Sequence, residues 1–204
     1  MESKNSRLTG IMAWIDARIE LDILHSLFLK SVLRKIPLKR NSRVIDIGCG
    51  TGWTCRNIAK ISTEGKIAGI DISEKVITRA RNSSHPDLEN LEYIVADAGR
   101  IPAGDNHFDF AIAFVSFSWW KNPDATLEEI NRVLRRGGKL YVLDIYDKGL
   151  GSIFVRISNC FLSQKEKIYP AEKYNALMER VFSDVCQKKV DPFGWGLLTV
   201  GTKR

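Results

Sequence analysis

Cysteine and histidine are scarce in this sequence: four cysteines (Cys49, Cys55, Cys160, Cys186) and three histidines (His25, His85, His107) among 204 residues. No two cysteines stand in C-x-x-C spacing, which argues against a zinc knuckle or a disulfide framework and leaves reduced thiols as the expectation. A run of about 18 apolar residues is also missing, so no membrane-spanning helix is expected. The amino-terminal stretch carries Glu2, Lys4 and Arg7 ahead of its apolar residues and shows no compact apolar core with a small-residue cleavage site. A soluble cytoplasmic protein follows as the expectation. Internal repeats, low-complexity tracts and an isolated polybasic tract are absent as well, which makes nucleic acid an unlikely partner.

The composition that remains is that of a globular domain, 44% hydrophobic and 27% charged, and its length suits one domain of the larger sort. Its net charge of +7 is uneven. Residues 1–43 hold nine Lys/Arg against four Asp/Glu, residues 147–204 hold ten against six, and the middle carries a slight negative balance. The basic excess therefore sits in two flanking segments.

Hydrophobic spacing gives the order of elements. Leu21, Leu24, Phe28, Val32 and Ile36 recur at helical steps within 8–36, closed by Pro37. Beyond it, β-rich stretches at 44–47, 67–70, 91–96, 108–115 and 139–145 alternate with helical patterns at 53–61, 74–82 and 123–135. That alternation predicts a parallel sheet with helices on both faces. Pro102, Gly104, Asp105 and Asn106 make the third crossover a turn-rich loop, with or without one short helix. Asn122 reads as an N-cap with Pro123 behind it, and Arg135, Arg136 and Gly137 mark that helix's expected end. After an apolar stretch at 150–162, residues 170–182 read as a helix. Strands at 184–190 and 195–202, joined by Asp191-Pro192-Phe193-Gly194, read as a hairpin that makes the sheet edge antiparallel.

One motif carries chemistry. Val44-Ile45-Asp46-Ile47-Gly48-Cys49-Gly50-Thr51-Gly52 is a buried strand running into a glycine-rich turn at the head of a helix, the usual ligand site of an open α/β sheet. Glycines there let backbone approach a ligand closely. A dinucleotide site wants G-x-G-x-x-G, but Trp53 stands at the third glycine's place, where packing of the new helix is its expected role. A phosphate-binding P-loop wants Gly-Lys-Ser/Thr, and the chain has Gly52-Trp53-Thr54. Asp46 would repel phosphates and attract an ammonium or sulfonium group.

Asp71 and Asp97 follow at intervals of 25 and 26 residues, one βα unit each, so all three carboxylates are expected along one rim of the sheet. Asp71 is placed to accept from a ribose diol. Asp97 can accept from an exocyclic amine of adenine while the Ala98 amide faces a ring nitrogen. An adenosine with a positive tail fits all three. Each has an alternative reading: a buried cap on the turn for Asp46, a residue merely preceding the N-cap Ser73 for Asp71, and a loop carboxylate for Asp97.

These residues resemble the class I S-adenosylmethionine-dependent methyltransferases, and among them the group related to the quinone-biosynthesis C-methyltransferases. The resemblance runs over roughly residues 40–146. It rests on Val-Ile-Asp-Ile-Gly-Cys-Gly-Thr-Gly at 44–52, Gly-Ile-Asp-Ile-Ser at 69–73, Ala-Asp-Ala at 96–98, Phe-Asp-Phe-Ala-Ile-Ala at 108–113 and Leu-Arg-Arg-Gly-Gly-Lys-Leu at 134–140. It implies a Rossmann-like α/β fold, with a seven-stranded, mostly parallel sheet, one antiparallel edge strand and helices on both faces. It further implies a cofactor-binding core over 40–146, helical lids at 1–36 and 147–182, and a terminal β-hairpin at 183–204, all within one methyltransferase domain of 1–204.

S-adenosyl-L-methionine is the cofactor so implied. Asp46, Gly48, Gly50 and Gly52 would hold its methionine part, Asp71 the ribose, and Asp97 with Ala98 the adenine, with Cys49 and Ile72 as further cofactor-binding residues. Phe114 or Val115 would back the sulfonium. The implied reaction is in-line displacement at the methyl group by a small-molecule acceptor, for which positioning and exclusion of water suffice. Two alternatives stand beside it: a regulatory protein that binds the cofactor without transferring a methyl group, and a different transfer, such as aminopropyl, from a related nucleoside.

Many relatives carry histidine where this chain has Trp119 and Trp120. The two tryptophans suit an aromatic or cationic substrate, or else pack under the next helix. Asp144 and Tyr146 are the acid/base candidates of the core. His25, His85 and His107 read as structural. Cys55 and Cys160 as arsenite ligands are a remote reading, and no metal is expected. The flanking charge suits a lipophilic or anionic substrate, a peripheral membrane surface, or a solvated face with an apolar lid. Nothing in the sequence sets the oligomeric state.

Overall fold

The computed structural model describes residues 29–84, 86–145, 148, 152, 169–190 and 196–204. The chain divides into two units, residues 1–37 and 38–204. In the first, the described residues hold a helical segment at 29–33, whose end is marked by Ile36 N–H donating to Leu33 O at 3.1 Å. The earlier part of the helix expected over 8–36 lies outside the described residues.

The second unit is built on strands β1 (Arg43–Ile47), β2 (Lys66–Asp71), β3 (Leu91–Val95), β4 (Phe108–Phe114), β5 (Leu134–Ile145), β6 (Ser183–Lys189) and β7 (Gly196–Thr202). They form one sheet in the order β3-β2-β1-β4-β5-β7-β6. Strand β7 runs antiparallel to both β5 and β6, so the terminal hairpin supplies the antiparallel edge pair, with β7 one place in and β6 outermost. Between the strands run α1 (Trp53–Ile61), α2 (Glu74–Asn82), α3 (Pro123–Val133) and α4 (Ala171–Val181).

Local chemistry sets the helix starts. Ser73 Oγ accepts from Val76 N at 3.4 Å, and Asn122 Oδ1 accepts from Ala125 N at 3.2 Å with Pro123 in the first helical position. Each satisfies an amide that the first turn leaves without a partner. Buried Leu127, Ile130 and Val133 of α3 join Ile45, Ile47, Ala111, Ala113 and Phe117 in the main core. The third crossover has no helix; it is pinned to α3 by Arg132, which donates to the carbonyls of Ala103 and Ile101 at 2.9 and 3.1 Å.

One boundary moves. The sequence places the end of α3 near Gly137, yet the helix stops at Val133 and Leu134 is already extended. Leu134 pairs with Phe108, Lys203 N–H donates to Gly138 O at 2.8 Å, and Lys203 Nζ donates to Leu134 O at 2.7 Å. Partners from β4 and the carboxyl terminus thus draw Leu134 and its followers into the sheet against their helical propensity.

The register brings the carboxyl ends of the first four strands level. Asp46 lies beside Gly69 and Ile112, Asp71 beside Val95, and Phe114 beside Leu143. Strand order reverses at β1, whose neighbours are β2 and β4. A crevice at this point is where open α/β sheets take their ligands.

Candidate functional site at the carboxyl rim of the sheet

The turn after β1 needs its glycines for different reasons. Gly48, Gly50 and Gly52 have φ of 72°, 55° and 78°, in the region where a side chain is strained. A Cβ on Gly48 would lie 2.6 Å from Ser116 Cβ, and one on Gly52 would collide with the Tyr93 hydroxyl. A Cβ on Gly50 would meet nothing within 4 Å. Gly48 and Gly52 are thus required by the protein's own packing, whereas Gly50 faces open space.

The amides of this turn are already engaged. Gly48 N and Cys49 N both donate to Ile70 O, at 2.8 and 2.9 Å, and Gly52 N donates to Cys49 O at 3.0 Å. Gly50 N donates to Asp71 Oδ2 at 3.2 Å. A phosphate cradle depends on such amides being turned outward to an anion. Here three of them are spent on carbonyls of the fold, and the fourth holds a carboxylate.

Asp71 also accepts from Ser73 N at 2.9 Å through Oδ1. It therefore ties the glycine turn to the start of α2 and keeps acceptor capacity, since a carboxylate takes about four hydrogen bonds. Asp97 is exposed, with Oδ1 accepting from Gly99 N at 2.8 Å. Ile72 is 60% exposed and Val95 44%, so uncovered apolar surface lies between the two acids.

Asp46 is of another kind. It is buried, and Cys55 Sγ donates to its Oδ2 at 3.2 Å. Burial pushes its carboxyl group up to about 7; the Cys55 hydrogen bond opposes this and the nearby Asp71 carboxylate adds to it. Desolvation dominates because a carboxylate loses its hydration and recovers only a weak thiol donor.

The fourth strand ends in strain. Val115 has φ of 53° while its N–H donates to Leu143 O at 2.7 Å. A β-branched residue in this region costs about 1–2 kcal/mol. We expect Val115→Gly to raise stability by about 0.5–1 kcal/mol, after the entropic cost of glycine. Urea unfolding checks this, and a lower midpoint would mean that the valine's contacts outweigh its strain.

The tryptophans separate. Trp119 is half exposed, whereas Trp120 is buried against Phe117, with ring centroids 4.5 Å apart. Core packing holds Trp120, so a wall made of both indoles does not form. Phe114 is buried too. Asp144 is buried at the end of β5, with Oδ1 accepting from Ile145 N at 2.8 Å. Tyr146 and Cys160 lie outside the described residues, as do His25 and His85. His107 is at the opposite end of the sheet from the glycine turn, immediately before β4. Among the described residues no cluster of three potential metal ligands occurs, and no helix is long and apolar enough to cross a membrane.

Three residues that build the rim were not singled out by the sequence for that role. Tyr93 donates to Gly52 O at 3.1 Å and accepts from Ser84 Oγ at 3.1 Å. Ser116 donates to Ile47 O at 2.6 Å and abuts Gly48. Cys55 holds Asp46. The available signal was Gly69, a glycine within a strand, which marks close approach of another group; Tyr93, Cys55 and Cys49 all crowd it.

Residues 45–142 match the Methyltransferase domain family. Over 123 residues the chain is 32% identical to a demethylmenaquinone methyltransferase of Staphylococcus saprophyticus, covering 59% of this chain and 52% of that protein. The chain thus spans about half the length of the curated relatives it matches. Among solved structures, a methyltransferase in complex with the Haloferax volcanii Trm112 methyltransferase activator superposes with a TM-score of 0.80. It is 22% identical, with 94% of this chain and 96% of that one covered. A SAM-dependent methyltransferase of Aquifex aeolicus gives a TM-score of 0.69 at 22% identity, covering 86% and 89%.

Proposed function

We propose, for a chain whose residues 45–142 belong to the class I S-adenosylmethionine-dependent methyltransferases, that it moves a methyl group from S-adenosylmethionine to a small lipophilic acceptor. The observation that carries this reading is the glycine turn, whose amides are spent within the fold and on Asp71 while acids line the rim. Such a rim favours a nucleoside with a cationic tail over one with phosphates.

The residues fit that cofactor. The open side of Gly50 admits its methionine part, Asp46 offers the ammonium a carboxylate, and Asp71 accepts from the ribose. Asp97 with Ala98 would meet the adenine, and exposed Ile72 and Val95 offer apolar surface for it. When bound, the cofactor supplies a methyl group on a sulfonium, which already contains its leaving group. The protein then has to position, exclude water and hold the acceptor in line. Asp144, buried at the end of β5, is the candidate for taking a proton from the acceptor.

An aromatic acceptor is the finer proposal. Trp119, half exposed just past β4, offers a ring face beside the proposed methyl position, and the curated relative acts on a demethylmenaquinone by its name. The test is transfer of labelled methyl from S-adenosylmethionine to demethylmenaquinone and a panel of other quinols, phenols and amines. Label in a quinol is expected; calorimetric binding of NAD or ATP in preference to S-adenosylmethionine would overturn the reading. Trp119→Ala should raise KM for the aromatic acceptor about five- to tenfold, the scale of a lost ring contact. An unchanged KM would remove Trp119 from the acceptor site.

A further inference from the structure

Two thiols meet behind the glycine turn, and methyl transfer needs neither sulfur as a reacting group. A Cβ built on Gly69 would lie 2.8 Å from Cys55 Sγ and 3.0 Å from Cys49 Sγ, so the two sulfurs are at most about 6 Å apart. Both are free thiols. Cys49 lies in the turn between Gly48 and Gly50, and Cys55 lies in the first turn of α1. The missing side chain at Gly69 is what lets the sulfurs approach each other over β2.

We propose that Cys49 and Cys55 are a modification site, a dithiol that closes to a disulfide under peroxide and thereby shuts the cofactor turn. The two ends differ in the way such a pair needs. Cys49 retains 8% exposure and Cys55 none, so the oxidant reaches Cys49 first. The Cys49 thiolate attacks one peroxide oxygen and the O–O bond breaks. Hydroxide leaves and becomes water with the thiol's proton, and a sulfenic acid remains.

Cys55 sulfur then attacks the Cys49 sulfur and the S–O bond breaks. The Cys55 proton passes through Asp46 Oδ2, its hydrogen-bond partner at 3.2 Å, to the departing hydroxide. Two thiols lose two electrons and two protons, and peroxide becomes two waters. Cys55 would be slow on its own, because burial and the neighbouring Asp46 push its thiol well up. Attack on an adjacent sulfenic acid, with a carboxylate to take the proton, removes that obstacle.

Closure has two consequences at the rim. Asp46 loses its thiol donor, and Cys49 is drawn from the turn towards α1, shifting the Gly48 and Gly50 backbone on either side. The effect on cofactor rests on the function proposed above; the chemistry of the pair does not. Trypsin releases both cysteines in one peptide, residues 44–56, because Arg43 and Arg56 bound it. The full chain is treated with hydrogen peroxide, alkylated with iodoacetamide and digested.

The expected result is a 44–56 peptide lighter by about 2 Da and unalkylated, restored by dithiothreitol. In Cys55→Ser that loss should vanish and Cys49 should instead trap dimedone as a sulfenic acid. Calorimetry with S-adenosylhomocysteine should show at least about tenfold weaker binding after oxidation, reversed by dithiothreitol, with no reversible change in Cys55→Ser. Recovery of both cysteines fully alkylated while exposed Cys186 is oxidised would overturn the pair. A disulfide that leaves S-adenosylhomocysteine affinity unchanged would overturn the closing of the turn. If the reduced protein binds no S-adenosylhomocysteine, the proposed function fails, and the 2 Da loss still decides whether the pair exists.

Discussion

Asp71→Ala lowers affinity for S-adenosylmethionine by about 1.5–3 kcal/mol, roughly 10- to 150-fold, the worth of a hydrogen-bond acceptor that carries charge. The structure gives the loss two sources. One is the proposed ribose contact; the other is the turn itself, because Asp71 accepts from Gly50 N and from Ser73 N. Removing the carboxylate leaves both amides without their partner and frees the turn to move. Asp71→Asn separates the sources, since an amide oxygen can keep one of the two bonds while the charge is gone. Calorimetric titration of wild type and both variants reads the difference. Equal affinity in wild type and Asp71→Ala would remove Asp71 from the cofactor site.

Asp46→Asn is expected to move stability and binding in opposite directions. A carboxyl group raised from 3.8 to about 7 in the folded state holds its proton where the unfolded chain has lost it. Stability therefore falls as pH rises between these two values and is flat above about 7. The asparagine variant carries no such penalty, so at pH 8 it should be the more stable protein by about 1–3 kcal/mol, with the difference shrinking towards pH 4.

Cofactor binding runs the other way. A cationic ligand prefers the ionised form, so wild-type affinity should climb through pH 6–7, approaching tenfold per unit at the steepest, and level off by pH 8. The variant should bind more weakly and show no such climb. Urea midpoints and calorimetry at pH 5, 6, 7 and 8 test both halves. A pH-independent wild-type affinity would mean that Asp46 does not meet the cationic group.

This behaviour was half legible in the sequence. Asp46, two residues before the first glycine, reads in the sequence as a carboxylate for a cation, and nothing there shows that it sits in the core with a thiol as partner. The partner comes from α1, nine residues on, and no pattern in the chain joins them. The separation of Trp119 from Trp120 was hidden for a similar reason. Adjacent residues in a short 3-10 turn face different ways, and only the position of Phe117 decides which indole is buried.

What the sequence determined by itself was the order and kind of elements, the glycine turn and the three acids one βα unit apart. These depend on periods, caps and backbone freedom, which act over a few residues and can be read locally. Tertiary structure alone decided the end of α3, where strand partners and Lys203 outbid local propensity, and the engagement of the turn's amides by Ile70 and Asp71. It also set two thiols and a tyrosine around Gly69. These depend on which strands become neighbours, and a parallel sheet makes neighbours of residues that the chain keeps twenty or more positions apart.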